Sequence, residues 1–312
     1  MENFMLSANA VLPMFLLLAA GYLSKRFGIL SLEDIPRTNR IAFRIFLPCL
    51  LFYNIYNAEL SYAIQPKLIL FAVCGVLLVF AGAVYGAHRF ERNQDRKGPI
   101  AQGIFRSNFV IMGIPIAQAI VGDADLSPVA ILIAVIVPMF NFLSVVILEK
   151  FRGGRVKTGE VLLEIAKNPL IIGSVLGIVF LLLHIRLPAV VEKAVSNLGS
   201  IATPLQLFLL GVFFDFKGMK RFCRQLITVN VGKLIVFPAV FLFAAYLLGF
   251  RNADFVSLMG IYAAPTAINS FTMAQQMGGD EELAGSIVVS TTAVSILTMF
   301  MWIYLFRSLG AY

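Results

Sequence analysis

The sequence predicts an all-α membrane protein of ten transmembrane helices, arranged as two inverted five-helix repeats. Helices four and nine are expected to be broken where they cross. Three observations carry that prediction. Of 312 residues, 59% are hydrophobic and 13% charged, with a mean hydropathy of +0.87, whereas a soluble domain is about one-quarter charged. Ten apolar runs, each near the roughly 20 residues that a helix needs to span hydrocarbon, fall at about 4–24, 38–57, 66–88, 99–121, 126–148, 161–184, 189–214, 226–249, 254–277 and 284–306. The chain also repeats itself: the stretch Ala117–Leu126 returns as Ala274–Leu283, 157 positions on. At an offset of 156, Pro13 and Gly21 meet Pro169 and Gly177, and Pro48-x-x-Leu51-Phe52 meets Pro204-x-x-Leu207-Phe208. The repeats divide as residues 1–149 and 150–312.

Each run reads as a helix for its own reasons. The first has the apolarity of a secretory leader, but Glu2 stands where a leader carries Lys or Arg, and the run is too long, so it reads as a retained helix. Runs two and seven hold Pro48 and Pro204 at matching points and are expected to kink there, along the boundary with the core. Runs five and eight carry Pro138 and Pro238, read as ordinary kinks. All ten runs are continuous rather than alternating, which excludes a β-barrel. Cys49, Cys74 and Cys223 form no CxxC spacing and are read as packing residues.

The net charge of +8 does not point to nucleic acid, because of where it lies. Lys25, Arg26, Arg37 and Arg40 fill the first connection, Arg89, Arg92, Arg96 and Lys97 the third. Lys150, Arg152, Arg155 and Lys157 fill the fifth, and Lys217, Lys220, Arg221 and Arg224 the seventh. The even connections hold only Lys67, Arg186, Lys193 and Arg251. This alternation is the positive-inside rule. It assigns the odd connections to the cytoplasm and both termini to the other side of the membrane. Five helices per half then make the second copy inverted, an architecture of secondary transporters with the substrate site where the copies meet.

The site is expected at the interrupted helices. Run four reads Arg106-Ser107-Asn108-Phe109-Val110-Ile111-Met112-Gly113-Ile114-Pro115, and run nine Tyr262-Ala263-Ala264-Pro265-Thr266-Ala267-Ile268-Asn269-Ser270. A proline inside a helix removes a donor and clashes with the preceding turn. Each break creates a helix N-terminus within the membrane, with free N–H groups and partial positive charge. Two such ends facing one another suit a carboxylate. Asn108, Asn269 and Thr272 stand beside the breaks, and Arg106 is placed to steer an anion, with Arg44 second. Arg44, Arg106, Lys167 and Lys233 can also snorkel to an interface. Asp123 and Asp280 are expected to cap or close the turns after their helices.

Other chemistry is excluded by the same reading. The central turns of runs four, five, nine and ten carry no Asp or Glu, which disfavours carboxylate-driven cation exchange. His88 and His184 have no metal-ligand spacing. No nucleophile elbow, phosphate loop or HExxH run occurs, so neither enzyme, metal nor cofactor is expected.

Asn108-x4-Gly113-x-Pro115, Lys167-Asn168-Pro169, Pro265-x-Ala267 leading into Ala274-x3-Gly278-x-Asp280, and Ser290-Thr291-Thr292-Ala293-Val294-Ser295 resemble the auxin efflux carrier family. The chain is similar to its compact bacterial branch, the malate or malonate permeases, and lacks a long central loop. The resemblance implies a fold like the bile-acid sodium symporters, its scaffold and transport domains each drawn from both repeats, with Asn108, Pro115 and Pro265 at the crossing, Asn269 a looser match, and Gly113 of the same motif a further substrate-binding candidate. It implies a carrier of an organic carboxylate by alternating access, as a uniporter or linked to protons. A hydrophobic monocarboxylate is the second substrate, against walls of Phe109, Ile111, Met112 and Phe271. The competing readings are sodium symport through Gln118, Gln275 and Asn269, and an anion channel or receptor. Expected partners are the carboxylate, the lipid bilayer and a second copy in a homodimer, with no nucleic acid.

Overall fold

Long apolar runs in a chain with few charges can satisfy their backbone only as helices, and the protein is all-helical. The structure, a computed structural model, describes residues 2–57, 65–121, 126–152 and 158–312; Asp123, Arg155 and Lys157 lie outside them. Helix makes up 84% of it, and no strand forms among the described residues. The helices are α1 (Glu2–Arg26), α2 (Asp34–Ile41), α3 (Leu47–Tyr56), α4 (Pro66–Phe90), α5 (Gln94–Phe105), α6 (Phe109–Val121), α7 (Ser127–Phe151) and α8 (Thr158–Lys167). They continue as α9 (Pro169–Leu182), α10 (Ala189–Phe213), α11 (Phe216–Arg221), α12 (Cys223–Val231), α13 (Phe237–Leu247), α14 (Asn252–Ala263), α15 (Asn269–Gln276) and α16 (Glu281–Ser308).

Among the described residues, five helices are long and apolar enough to cross a membrane: α4, α7, α10, the continuous Cys223–Leu247 and α16. Helices α6 and α9 are apolar but shorter. Helix starts follow local chemistry. Asn93, Asn168 and Asp280 accept from the backbone N–H of Asp95, Leu170 and Leu283 respectively, the capping bond that satisfies an orphan donor. Asp280 thus caps the helix that follows its turn, α16, as expected, and it also pairs with Arg96 at 2.9 Å.

The prolines act differently from expectation at several places. α2 runs through a π-helical turn, Ala42–Phe46, into α3, with Pro48 just beyond the turn. α12 runs through a second π turn, Gly232–Val236, into α13, with Pro238 just beyond it. A proline donates no N–H, and the widened turn takes up the lost register. Pro204 instead sits inside unbroken α10, as Pro138 sits inside unbroken α7. Pro48 and Pro238 thus each follow a π turn, and Pro204 does not.

Two groups of helices pack side by side. α1 lies on α10, and α3 on α9 and α10, at glycine-mediated approaches where only the missing side chain leaves room. A Cβ at Gly21 would stand 1.9 Å from the Phe208 carbonyl oxygen, and one at Gly211 would stand 2.0 Å from that of Leu18. At Gly177 it would stand 3.0 Å from the Phe52 carbonyl oxygen. Gly21 with Phe208 and Gly177 with Phe52 are the same pair shifted by 156 residues in opposite order. In the second group α4, α7, α12, α13 and α16 surround the pairs α5/α6 and α14/α15. There α14 docks on α4 through Tyr262, whose hydroxyl donates to the Ala72 carbonyl at 3.2 Å and whose ring stacks on Phe241 at 4.8 Å. Cys49 is half-buried, while Cys74 and Cys223 are exposed rather than packed; a thiol on such a surface behaves as a small apolar group.

Candidate functional site

Two helices are interrupted, and the interruptions meet. Backbone is extended at Arg106, after α5, and at Ala264, after α14. Ser107 and Thr266 form an isolated antiparallel bridge, in which the Asn108 N–H donates to the Pro265 carbonyl at 2.8 Å. Breaking a helix leaves orphan carbonyls at the end of its first half. Here each break caps the other's: the Ser107 hydroxyl donates to Gly260 O of α14 at 3.1 Å, and the Thr266 hydroxyl to Gly103 O of α5 at 2.7 Å. The Thr266 N–H is taken by the Thr291 hydroxyl of α16 at 3.3 Å. α6 and α14 touch at glycines, since a Cβ at Gly260 would stand 2.9 Å from the Gly113 Cα.

The second halves, α6 and α15, begin on the wall of one cavity of about 190 Å³. Asn108, Phe109, Val110 and Ile111 line it from one break, and Ala267, Ile268 and Asn269 from the other. The facing wall comes from Leu47, Leu50, Leu51 and Asn54 of α3 and from Thr203 and Gln206 of α10. Pockets for drug-sized ligands run to roughly 300–1,000 Å³, so this volume suits a small molecule with water. Three amide atoms here are buried without a partner among the described residues: Asn108 Nδ2, Asn269 Oδ1 and Gln206 Nε2. Such atoms cost about 1–3 kcal/mol each when left unpaired, which marks them as groups that await a ligand or water. Arg106 also lines the cavity at 2% exposure, its guanidinium donating to Asn141 Oδ1 and contacting Met273 Sδ. Two helix N-termini and one guanidinium therefore present positive potential to a cavity whose wall, among the described residues, holds no carboxylate.

Of the residues singled out in the sequence, Arg106, Asn108 and Asn269 line the cavity. Pro265 supplies the bridge carbonyl, and Gly113 forms the contact with Gly260 behind the wall. Pro115 is not at the break: it sits inside α6, on an exposed face. Thr272 is fully buried away from the cavity, and its hydroxyl donates to Asn39 Oδ1 of α2 at 3.1 Å. Asn39 in turn donates to Gln275 Oε1, tying α2 to α15. Of Gln118, Gln275 and Asn269, only Asn269 reaches the cavity. Met112 and Phe271 belong to the hydrophobic core rather than the cavity wall. Arg44 and Lys167 are exposed, whereas Arg106 and Lys233 are buried instead of snorkelling. Lys233 lines a small void with Ile104, Phe105, Ile261 and Tyr262, setting its side chain near the C-terminal ends of α5 and α14, where a donor or cation is favoured.

Sequence reasoning missed Thr266, Gln206, Asn141 and Asn39. Thr266 had a signal, a hydroxyl beside Pro265. Gln206 had one too, an amide in an apolar run two positions after Pro204.

The family model described as "Membrane transport protein" matches residues 6–160 and 155–303. The chain belongs to the membrane transport protein family. This is the auxin efflux carrier-like family that the motifs of runs four and nine resemble. An uncharacterized transporter of Methanocaldococcus jannaschii is 23% identical over 308 residues, covering 96% of this chain and 98% of its own. A Rhizobium meliloti protein named, provisionally, a malonate transporter is 26% identical over 305 residues, covering 96% and 95%. An uncharacterized transporter of Escherichia coli is 20% identical, covering 95% and 96%. The membrane transport protein thus stands among transporters and not among enzymes, and it is a multi-pass membrane protein.

Proposed function

We propose that the protein is a secondary transporter of a small organic carboxylate, malonate or malate in kind, working by alternating access across a bacterial inner membrane. The observation that carries this reading is the cavity, where two half-helix N-termini, Arg106 and two unpartnered amide donors converge with no carboxylate among them. The carboxylate would accept from Asn108 Nδ2 and the N–H groups that open α6, and Gln206 Nε2 would hold a second acceptor from the facing wall. The malonate assignment of the Rhizobium meliloti relative and the small cavity support a short acid over a bulky aromatic one.

The fold we propose for this activity is ten transmembrane helices in two inverted repeats, with both termini outside. The interrupted pairs α5/α6 and α14/α15 are helices four and nine. The reciprocal Gly21–Phe208 and Gly177–Phe52 approaches support the inversion, because an in-plane two-fold axis relates such contacts in swapped order. In this arrangement α1, α3, α9 and α10 are the scaffold and the helices around the crossing are the moving body. The bonds from Asn39 to Thr272 and Gln275 then act as a gate between them. By the charge rule they close the cytoplasmic side, while the cavity reaches toward Asn54 at the outer end of α3.

Counterflow of labelled malonate and malate in proteoliposomes, with and without sodium, tests the proposal. Saturable exchange, lost in Asn108→Ala, is expected. Flux that stays linear with concentration would replace the carrier by a channel, and sodium dependence would replace uniport or proton linkage by sodium symport.

A further inference from the structure

A second, larger cavity lies on the outer surface, away from the crossing. It is a groove of about 900 Å³ between the end of α4, α5 and the α12–α13 helix. Its mouth carries Arg89, Arg92 and Arg224, and its walls include Phe90, Ile104 and Phe237. The flanking surface is apolar and open: Tyr85, Phe90, Ile227 and Val240 are each more than half exposed, as expected of faces turned to acyl chains. None of the three arginines makes an ion pair among the described residues. The one carboxylate in the groove, Glu91, is already engaged by the Gln225 amide at 2.9 Å and by the N–H groups of Arg92 and Asn93. Burial alone would raise the Glu91 carboxyl, but those bonds and the charge of Arg96 outweigh it and hold it below its ordinary value. It stays ionised and directed at the protein, so the mouth keeps an excess of positive charge.

The groove exists because side chains are missing from it. A Cβ added at Gly86 meets nothing within 4 Å, and one at Gly232 meets only Ile104, at 3.8 Å. Apolar walls would be wasted on a free inorganic anion, and an arginine mouth would be wasted on a neutral lipid. We infer that this groove binds one anionic phospholipid, its phosphate held by Arg89, Arg92 and Arg224 and an acyl chain lying along Gly86 and Gly232. Basic pockets between helices at the membrane surface recognise acidic headgroups in this way. The arginines belong to the third and seventh connections, which the charge pattern assigns to the cytoplasmic leaflet.

The test uses the full protein, delipidated in neutral detergent. Dioleoylphosphatidylglycerol, dioleoylphosphatidylcholine and inorganic phosphate are titrated in turn, with native mass spectrometry and thermal unfolding as readouts. One retained phosphatidylglycerol and a raised midpoint are expected, with neither phosphatidylcholine nor phosphate reproducing them. Combined Arg89→Ala, Arg92→Ala and Arg224→Ala should reduce retention at least tenfold. Gly86→Leu should do the same while leaving every charge in place, and its Cβ enters open space, so an unchanged unfolding midpoint without lipid is expected. Arg26→Ala with Arg37→Ala and Arg40→Ala, an equal loss of charge elsewhere, should retain the lipid. The inference is overturned if the two triple variants lose lipid equally, if Gly86→Leu binds as the parent does, or if phosphate or phosphatidylcholine gives the same shift.

Discussion

Replacing Asn108 by alanine should separate ligand binding from stability. Asn108 Nδ2 is buried and has no partner in the unliganded protein, so removing it strands no acceptor. The bonds that Asn108 does make, its N–H to Pro265 O at 2.8 Å and its carbonyl from the Met112 N–H at 3.1 Å, belong to the backbone and survive. The unliganded protein should therefore change by less than ~1 kcal/mol, a midpoint shift within roughly 2–4 °C. Binding is different, because a hydrogen bond to a charged group contributes about 1.5–3 kcal/mol net. That corresponds to a loss of affinity of roughly 10- to 150-fold. The assay is thermal unfolding in detergent across a malonate titration, paired with the half-saturation concentration of counterflow. A midpoint that collapses without ligand, while the remaining folded protein binds malonate as tightly as before, would refute the reasoning: Asn108 would then be a structural residue of the break.

Thr266→Val keeps the shape of a fully buried side chain but leaves Gly103 O without its donor; thermal unfolding should show a loss of about 1–3 kcal/mol, with transport falling alongside. Lys233→Met removes the cation beside the ends of α5 and α14. Counterflow should slow more than it does in Arg44→Met, whose side chain is exposed. Asn39→Ala cuts both bonds from α2 to α15, and a cysteine at Thr272 in a cysteine-free background should then react faster with a hydrophilic maleimide. Gly21→Leu forces a side chain into the Phe208 carbonyl and should abolish folded protein in size-exclusion chromatography.

How much of this was legible in the sequence depends on the range of the physics involved. Helix positions are local: continuous apolar runs and capping residues such as Asn168 and Asp280 specify them, and the runs at 66–88 and 126–148 correspond to α4 and α7. The break in run four was legible, but its place was not. A proline announces a lost hydrogen bond, yet Pro115 costs little inside α6, where its face is open, whereas the break needs a partner for the extended backbone. That partner is Pro265 O, 157 residues away from Asn108. Gln206 was invisible for the same reason. An amide in α10 acquires meaning only when packing turns it toward a cavity built from other helices. Thr272 shows the converse, since its proximity to the break in sequence placed it near the ligand, while one helical turn carried its hydroxyl toward Asn39.

The electrostatics of the crossing favour an anion without any charged residue at the bridge itself. The second halves present N-termini to the cavity, and the first halves end in carbonyls that Ser107 and Thr266 cap reciprocally. Were those carbonyls free, their negative ends would oppose the N-termini only a few ångströms away, and the net field would approach zero. Capping each with a hydroxyl, and setting the Lys233 side chain beside the same turns, removes the opposing half of the dipole pair. What remains toward the cavity is positive, reinforced by Arg106. Cation exchange carried by midplane carboxylates has no groups to run on here, since among the described residues the cavity wall holds amides instead. On this view Asn108 and Asn269 decide which anion fits, while Ser107, Thr266 and Lys233 decide that it is an anion. Neutral substitutions in the second set should therefore lower affinity for malonate and for an unrelated monocarboxylate by the same factor, whereas Asn108→Ala should change their ratio.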